Sequence, residues 1–170
     1  MSDKVTLIIP VRRGADKLER CLRAVLSGTV VPRIIVMDCT ADPAKLEKAR
    51  DKFPDVLFFD LGMNPGRAHA VNTGFHITQT LYVMTLSPGL LVGKHCVERL
   101  CAALDGERNL LSAQAKILSA EEPPRISGAG WLLDLAAEPV IRGAGRSAAS
   151  CSRKAGITAA QMDAAIYRME

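Results

Sequence analysis

Short apolar runs alternate along the first two thirds of the chain with stretches whose apolar positions recur every three or four residues. Residues 5–11 (VTLIIPV) form a continuous run, the pattern of a strand covered on both faces. In residues 17–27, Leu18, Cys21, Leu22, Val25 and Leu26 draw one stripe along a helix, and Gly28 is a natural stop for it. Residues 33–37 read as a second strand ending at Asp38, and Pro43 suits the first turn of a helix that runs to about Lys52. A third strand is predicted over 56–61, followed by a turn containing Gly62, Asn64, Pro65 and Gly66. Residues 67–79 read as a helix with Ala68, Val71, Phe75 and Thr78 inward. Residues 81–86 form a fourth buried strand that stops at Ser87-Pro88-Gly89, and a helix over 93–104 turns Val97, Leu100, Cys101 and Leu104 inward. Strands alternating with helices of this length predict βαβ units, a parallel sheet and helices on both faces.

The pattern changes after Leu104. Residues 109–118 fit one strand, with Leu111, Ala113, Ala115 and Ile117 alternating. Residues 126–135 and 139–142 fit a β-hairpin, and the basic, simple stretch 147–156 fits a loop. Met162, Ala164 and Ile166 alternate as in a strand, with a helix as the other reading. The expected class is therefore α/β: a Rossmann-like, mostly parallel central sheet with a short antiparallel portion in the C-terminal third. With 170 residues, a single domain is expected, divided into a first half over 5–104 and a second over 105–170.

Composition changes this picture little. The chain is 48% apolar and carries a net charge of +4, which favours anionic ligands but is too small to argue for nucleic acid. Cys21, Cys39, Cys96, Cys101 and Cys151 are odd in number and form no CxxC pair, so buried or incidental thiols in a reducing cytoplasm are expected. Cys96 and Cys101 fall on different faces of their helix, which argues against a metal shared with His95. MSDK leads straight into a strand without a basic, apolar leader, and no run approaches a membrane span, so a cytoplasmic location is expected.

Three strand-to-helix turns should share one sheet edge, at residues 10–13, 38–42 and 85–89, where open α/β sheets place their ligands. Asp38 can accept from a base or a ribose hydroxyl, and Arg12, Arg13 and Arg67 can neutralise phosphate through paired donors. Helix capping by Asp38 or Asp42, and simple surface solvation of each arginine, are the competing readings.

The runs IIPVRR, LERCLRAVL, IIVMDCTADP and NPGRAHAVNTGF, in this order over residues 5–104, resemble the nucleotide-binding half of family 2 glycosyltransferases of the GT-A fold. ISGAGWLLDL and DAAIYRME resemble the acceptor-side continuation more weakly. The resemblance implies a nucleoside-diphosphate-sugar donor and an acceptor that the residues do not name. It sets Pro10, Val11 and Arg12 along the nucleoside, Asp38 at the base or ribose, Arg67 near the base or phosphates, and Ser87 at the metal position. The family's Asp-x-Asp, which holds Mg²⁺ or Mn²⁺, should fall at Ser87-Pro88-Gly89, where both carboxylates are missing. No metal ligand and no cofactor are therefore evident. The catalytic residue is unassigned, with Asp134, Glu138 and Asp163 as candidate bases. The readings carried forward are a sugar transferase, a degenerate nucleotide-binding or protein-interaction domain, and a dinucleotide-binding enzyme suggested by Gly143-x-Gly145-x-x-Ala148. A homodimer and a longer parent chain both remain open.

Overall fold

The computed structural model describes residues 2–13, 15–40, 42 and 44–169. In chain order the elements are β1 (Ser2–Val11), α1 (Ala15–Leu26), β2 (Pro32–Asp38), α2 (Ala44–Lys52), β3 (Leu57–Asp60), α3 (Arg67–His76), β4 (Tyr82–Leu86) and α4 (Cys96–Gly106). Then follow β5 (Ser112–Gln114), β6 (Ile117–Leu118), β7 (Ile126–Gly128), β8 (Trp131–Leu133), β9 (Pro139–Ile141) and β10 (Ala164–Arg168). The expected role of Pro43 in the start of α2 lies outside the described residues.

Six strands form the central sheet in the order β3-β2-β1-β4-β10-β5. The first four are parallel, whereas β10 is antiparallel to both of its neighbours. The chain winds from β1 outward to β3 and then crosses to the other side of β1, so the direction of winding reverses between β1 and β4. One face of the sheet carries Leu7, Ile9, Ile34, Val36, Met84 and Ile166 against the apolar stripes of α1, α2 and α4. The other carries Ile8, Ile35, Met37 and Val83 against Ala70 of α3. This division follows from the period of two in each buried strand.

The stripe predicted for α4 is buried throughout, and that of α1 is buried at Leu18, Cys21, Leu22 and Val25, while Leu26 at its end is exposed. The face predicted for α3 is found in part: Val71 is buried and Phe75 half-buried against the core, but Ala68 is exposed and Ala70 and Gly74 are buried, so the buried face is rotated. Gly74 explains the rotation: a Cβ there would come within 2.8 Å of Ile8 Cδ1, so the missing side chain lets α3 settle on β1. The helix also ends at His76 rather than Gln79. Thr78, expected to point inward, turns its hydroxyl back onto the Gly74 carbonyl (2.8 Å) and closes the last turn.

The expected strand over 109–118 is two strands. β5 pairs with β10, and β6 leaves the sheet to pair with β7. Of the hairpin predicted over 126–135 and 139–142, only Trp131–Leu133 pairs with β9, while Ile126–Gly128 is the separate β7 paired with β6. Gly143 and Gly145 have φ of 70° and 74° in a tight turn after β9, and no helix opens there, which removes the dinucleotide fingerprint. The final stretch is a strand, not a helix. Ahead of it, Gln161 clasps Gln114: its N–H donates to Gln114 Oε1 (2.5 Å), and its Oε1 accepts from Gln114 Nε2 (2.7 Å) and from the Gly130 N–H (3.4 Å).

All five cysteines are free. Burial pushes the Cys21 thiol up to about 12 and Cys101 to about 11, so both behave as small apolar side chains.

The α3–β1 approach gives a direct test. Gly74→Ala should destabilise the fold by about 1–2 kcal/mol, because overpacking against Ile8 outweighs the gain in helix propensity. Urea denaturation measures it, and a variant as stable as the parent would show that Ile8 yields freely.

Candidate functional site

The winding reversal leaves the carboxyl ends of β1 and β4 side by side, the position where an open α/β sheet receives a ligand. The strands are paired as far as Ile8 and Thr85, and each runs on to the sheet edge. From β1 come Pro10, half-buried, Val11, buried, and then Arg12 and Arg13, both exposed. Neither arginine makes a hydrogen bond or ion pair with another described residue. Both are thus available to an anion from outside.

Asp38 ends β2 beside Val11, but its side chain turns inward and is only 1% exposed. Its Oδ1 accepts from the Thr40 N–H (3.0 Å) and the Thr40 hydroxyl (2.7 Å), and its Oδ2 pairs with Arg50 Nη2 of α2 (3.1 Å). The carboxylate therefore shapes the turn after β2 and does not present an open acceptor there. A buried carboxylate requires such a partner, and Arg50 was not singled out in the sequence. Cys39 follows with its backbone N–H on the Val11 carbonyl (2.8 Å), which ties the ends of β1 and β2 together.

At the end of β4 three predicted residues come together. Ser87 donates its hydroxyl to Asp163 Oδ1 (2.6 Å), and Arg67 Nη1 donates to the same oxygen (2.8 Å). Arg67 Nη2 also holds the Met162 carbonyl (2.7 Å), and the Ser87 N–H reaches the Asp163 carbonyl (2.9 Å). Asp163 thus arrives by way of β10 at the turn where the sequence shows no carboxylate. Burial would raise its pKa, but the bonds from Ser87 and Arg67 outweigh that and hold the carboxyl below the usual aspartate range. It is a poor proton acceptor as it stands. Nearby, Phe75 and Tyr167 pack with ring centroids 5.8 Å apart.

The other candidate bases lie elsewhere. Asp134 and Glu138 stand at the turn of the β8–β9 hairpin, where Asp134 Oδ1 accepts the N–H groups of Ala136 and Glu138 (2.9 Å each). That is a turn-stabilising role. A hollow of about 590 Å³ lined by Asp3, Thr6, Arg33, Asp55 and Thr80 opens at the opposite, amino-terminal edge of the parallel strands, away from this constellation.

The sequence model of glycosyl transferase family 2 matches residues 6–130, well over half of the chain. The chain belongs to that family. Solved structures agree in fold. A mannosyltransferase from Pyrobaculum calidifontis, PcManGT, in complex with GDP-Man and Mn²⁺, has a TM-score of 0.57 at 19% identity, covering 67% of this chain and 36% of its own. TarS of S. aureus (residues 1–349) has a TM-score of 0.57 at 15% identity, covering 67% and 35%. This family 2 chain thus has the GT-A fold and spans about a third of the length of either structure. No curated protein matches it. No described helix is long and apolar enough to cross a membrane.

The family implies a divalent metal, but the donor set at β4 does not fit one. Mg²⁺ and Mn²⁺ seek several hard oxygens. Here one carboxylate shares its Oδ1 between a hydroxyl and a guanidinium. Among the described residues no three His, Cys, Asp or Glu side chains group closely enough to hold an ion.

Two predictions follow from these contacts. Asp38→Ala should cost about 2–4 kcal/mol by stranding Arg50 and Thr40, and lower the Tm by roughly 5–15 °C; an unchanged Tm would remove its structural role. The depressed pKa of Asp163 makes its charge stabilising above the unfolded value of about 3.9. The stability gap between the parent and Asp163→Asn should therefore be constant above about pH 4 and close as the pH falls below it, as chemical denaturation across that range would show.

Proposed function

We propose that this family 2 domain binds a nucleoside-diphosphate sugar across the ends of β1 and β4 and serves its transfer to an acceptor. The observation that carries the reading is that Arg12 and Arg13 follow the end of β1 and Arg67 is held at the end of β4, the two strand ends flanking the winding reversal. Pro10, Val11 and Arg12 run along the nucleoside, while Arg67 and Ser87 face the diphosphate. Asp38 acts from beneath by fixing the turn after β2. The GDP-Man in the PcManGT complex supports a donor of this class. Free cysteines, three of them buried, suit a reducing compartment, and we place the domain in the cytoplasm.

A second reading, binding without transfer, is favoured by one observation. The carboxylate that stands at the end of β4 is engaged by two donors and held acidic, so it is poorly suited to take the acceptor's proton.

A panel of nucleotide sugars separates the two. A donor at a hundredfold excess over its Kd should raise stability by about 2.7 kcal/mol and the Tm by roughly 5–10 °C. Slow release of free sugar from the stabilising donor would mark a transferase, and stabilisation without release a binding module. A melting curve unmoved by every donor would sink both.

A further inference from the structure

We infer that a nucleoside diphosphate is held at this site by guanidinium groups, Arg67 foremost, with no divalent cation between phosphate and protein. The inference rests on the donor-site reading above and goes beyond it, because it states how the diphosphate's charge is met.

The geometry of Arg67 is the starting point. Its guanidinium is clamped by Asp163 Oδ1 at 2.8 Å and by the Met162 carbonyl at 2.7 Å, both at the start of β10. Two of its five N–H donors are used in this way, and the side chain is still 42% exposed. A guanidinium fixed by a carboxylate and a carbonyl is preorganised, so its remaining donors can meet phosphate oxygens with little further loss of freedom. The clamp is itself anchored. Ser87 holds Asp163 through both its hydroxyl and its backbone N–H, so the position of Arg67 is referred back to the end of β4.

Arg67 is also the first residue of α3. Gly66 ahead of it has φ 89° and gives no side-chain cap, so the N–H groups of the first turn add their partial positive charge beside the guanidinium. On the β1 side of the winding reversal, Arg12 and Arg13 are exposed and have no partner among the described residues. The site therefore supplies one clamped guanidinium at the end of β4 and two exposed ones, unpaired among the described residues, just past the end of β1.

A cation, by contrast, meets an obstacle. To use Asp163 it must displace Arg67 or settle beside it, and the other available group, the Ser87 hydroxyl, is neutral and already donates to Asp163. Arg67 stands in contact with the carboxylate that a cation would need.

The test is isothermal titration of the protein with UDP, GDP, ADP and CDP, each in EDTA and again with Mn²⁺. At least one should bind, with a Kd that agrees within about twofold in the two conditions. In EDTA, Arg67→Ala should weaken it about tenfold or more, the loss expected for charge-assisted bonds. Arg67→Lys, which keeps the charge but not the fork, should lose part of that. Circular dichroism melts report whether each variant is folded, and Arg67→Lys carries the comparison if the alanine variant is not. Binding tightened tenfold or more by Mn²⁺ would overturn the inference and leave the donor-site reading standing. Metal-independent binding untouched in the folded Arg67 variants would equally overturn it. No binding by any of the four, in either condition, would overturn both.

Discussion

The antiparallel register of β10 on β4, with Ala164 opposite Leu86 and Ile166 opposite Met84, decides where the chemistry of this domain stands. It sets Asp163 beside Ser87, on the α3 side of the sheet, where Arg67 can reach both Asp163 and Met162. A slip of one residue would turn Ala164 and Ile166, which are buried with Met84 and Leu86, out of that core and carry Asp163 away from Arg67. Apolar packing thus enforces the placement of a polar group. The hydrogen bonds at the site then refine a geometry that the sheet has already chosen.

The same logic separates what could be read in the sequence from what could not. The four parallel strands and the stripes of α1 and α4 were legible because burial on a regular element leaves a period of two or of three to four. The face of α3 was legible at Val71 and Phe75 but not at Gly74, which scores as neither apolar nor polar and lies where a Cβ would meet Ile8. Residues 109–118 alternate as one strand, yet β5 and β6 take different partners, and alternation does not record who the partner is.

The site was legible at its edges and obscure at its centre. Arg12, Arg67 and Ser87 stand out in the sequence from their places at or beside strand-to-helix turns and from the family resemblance, and the structure sets Arg67 and Ser87 on one carboxylate. The inward turn of Asp38 needed knowledge of Arg50, twelve residues on and on another element. Asp163 lies 76 residues from Ser87, and only pairing of β10 with β4 brings them together. The turn at Ser87-Pro88-Gly89 carries no carboxylate of its own, yet Asp163 stands beside it in the fold. The GT-A fold supports a carboxylate at this strand end by a different route, with an arginine attached to it.

The amide clasp of Gln161 gives the C-terminal third a mechanical meaning. One oxygen, Gln161 Oε1, receives Gln114 of the outermost strand of the sheet and the Gly130 N–H just ahead of β8. Two residues further along the same backbone stand Asp163 and, through it, Arg67. The outlying hairpin and the charged cluster therefore hang on the same few residues of backbone: Gln161 meets the chain just ahead of β8, and Asp163, two residues on, meets the guanidinium.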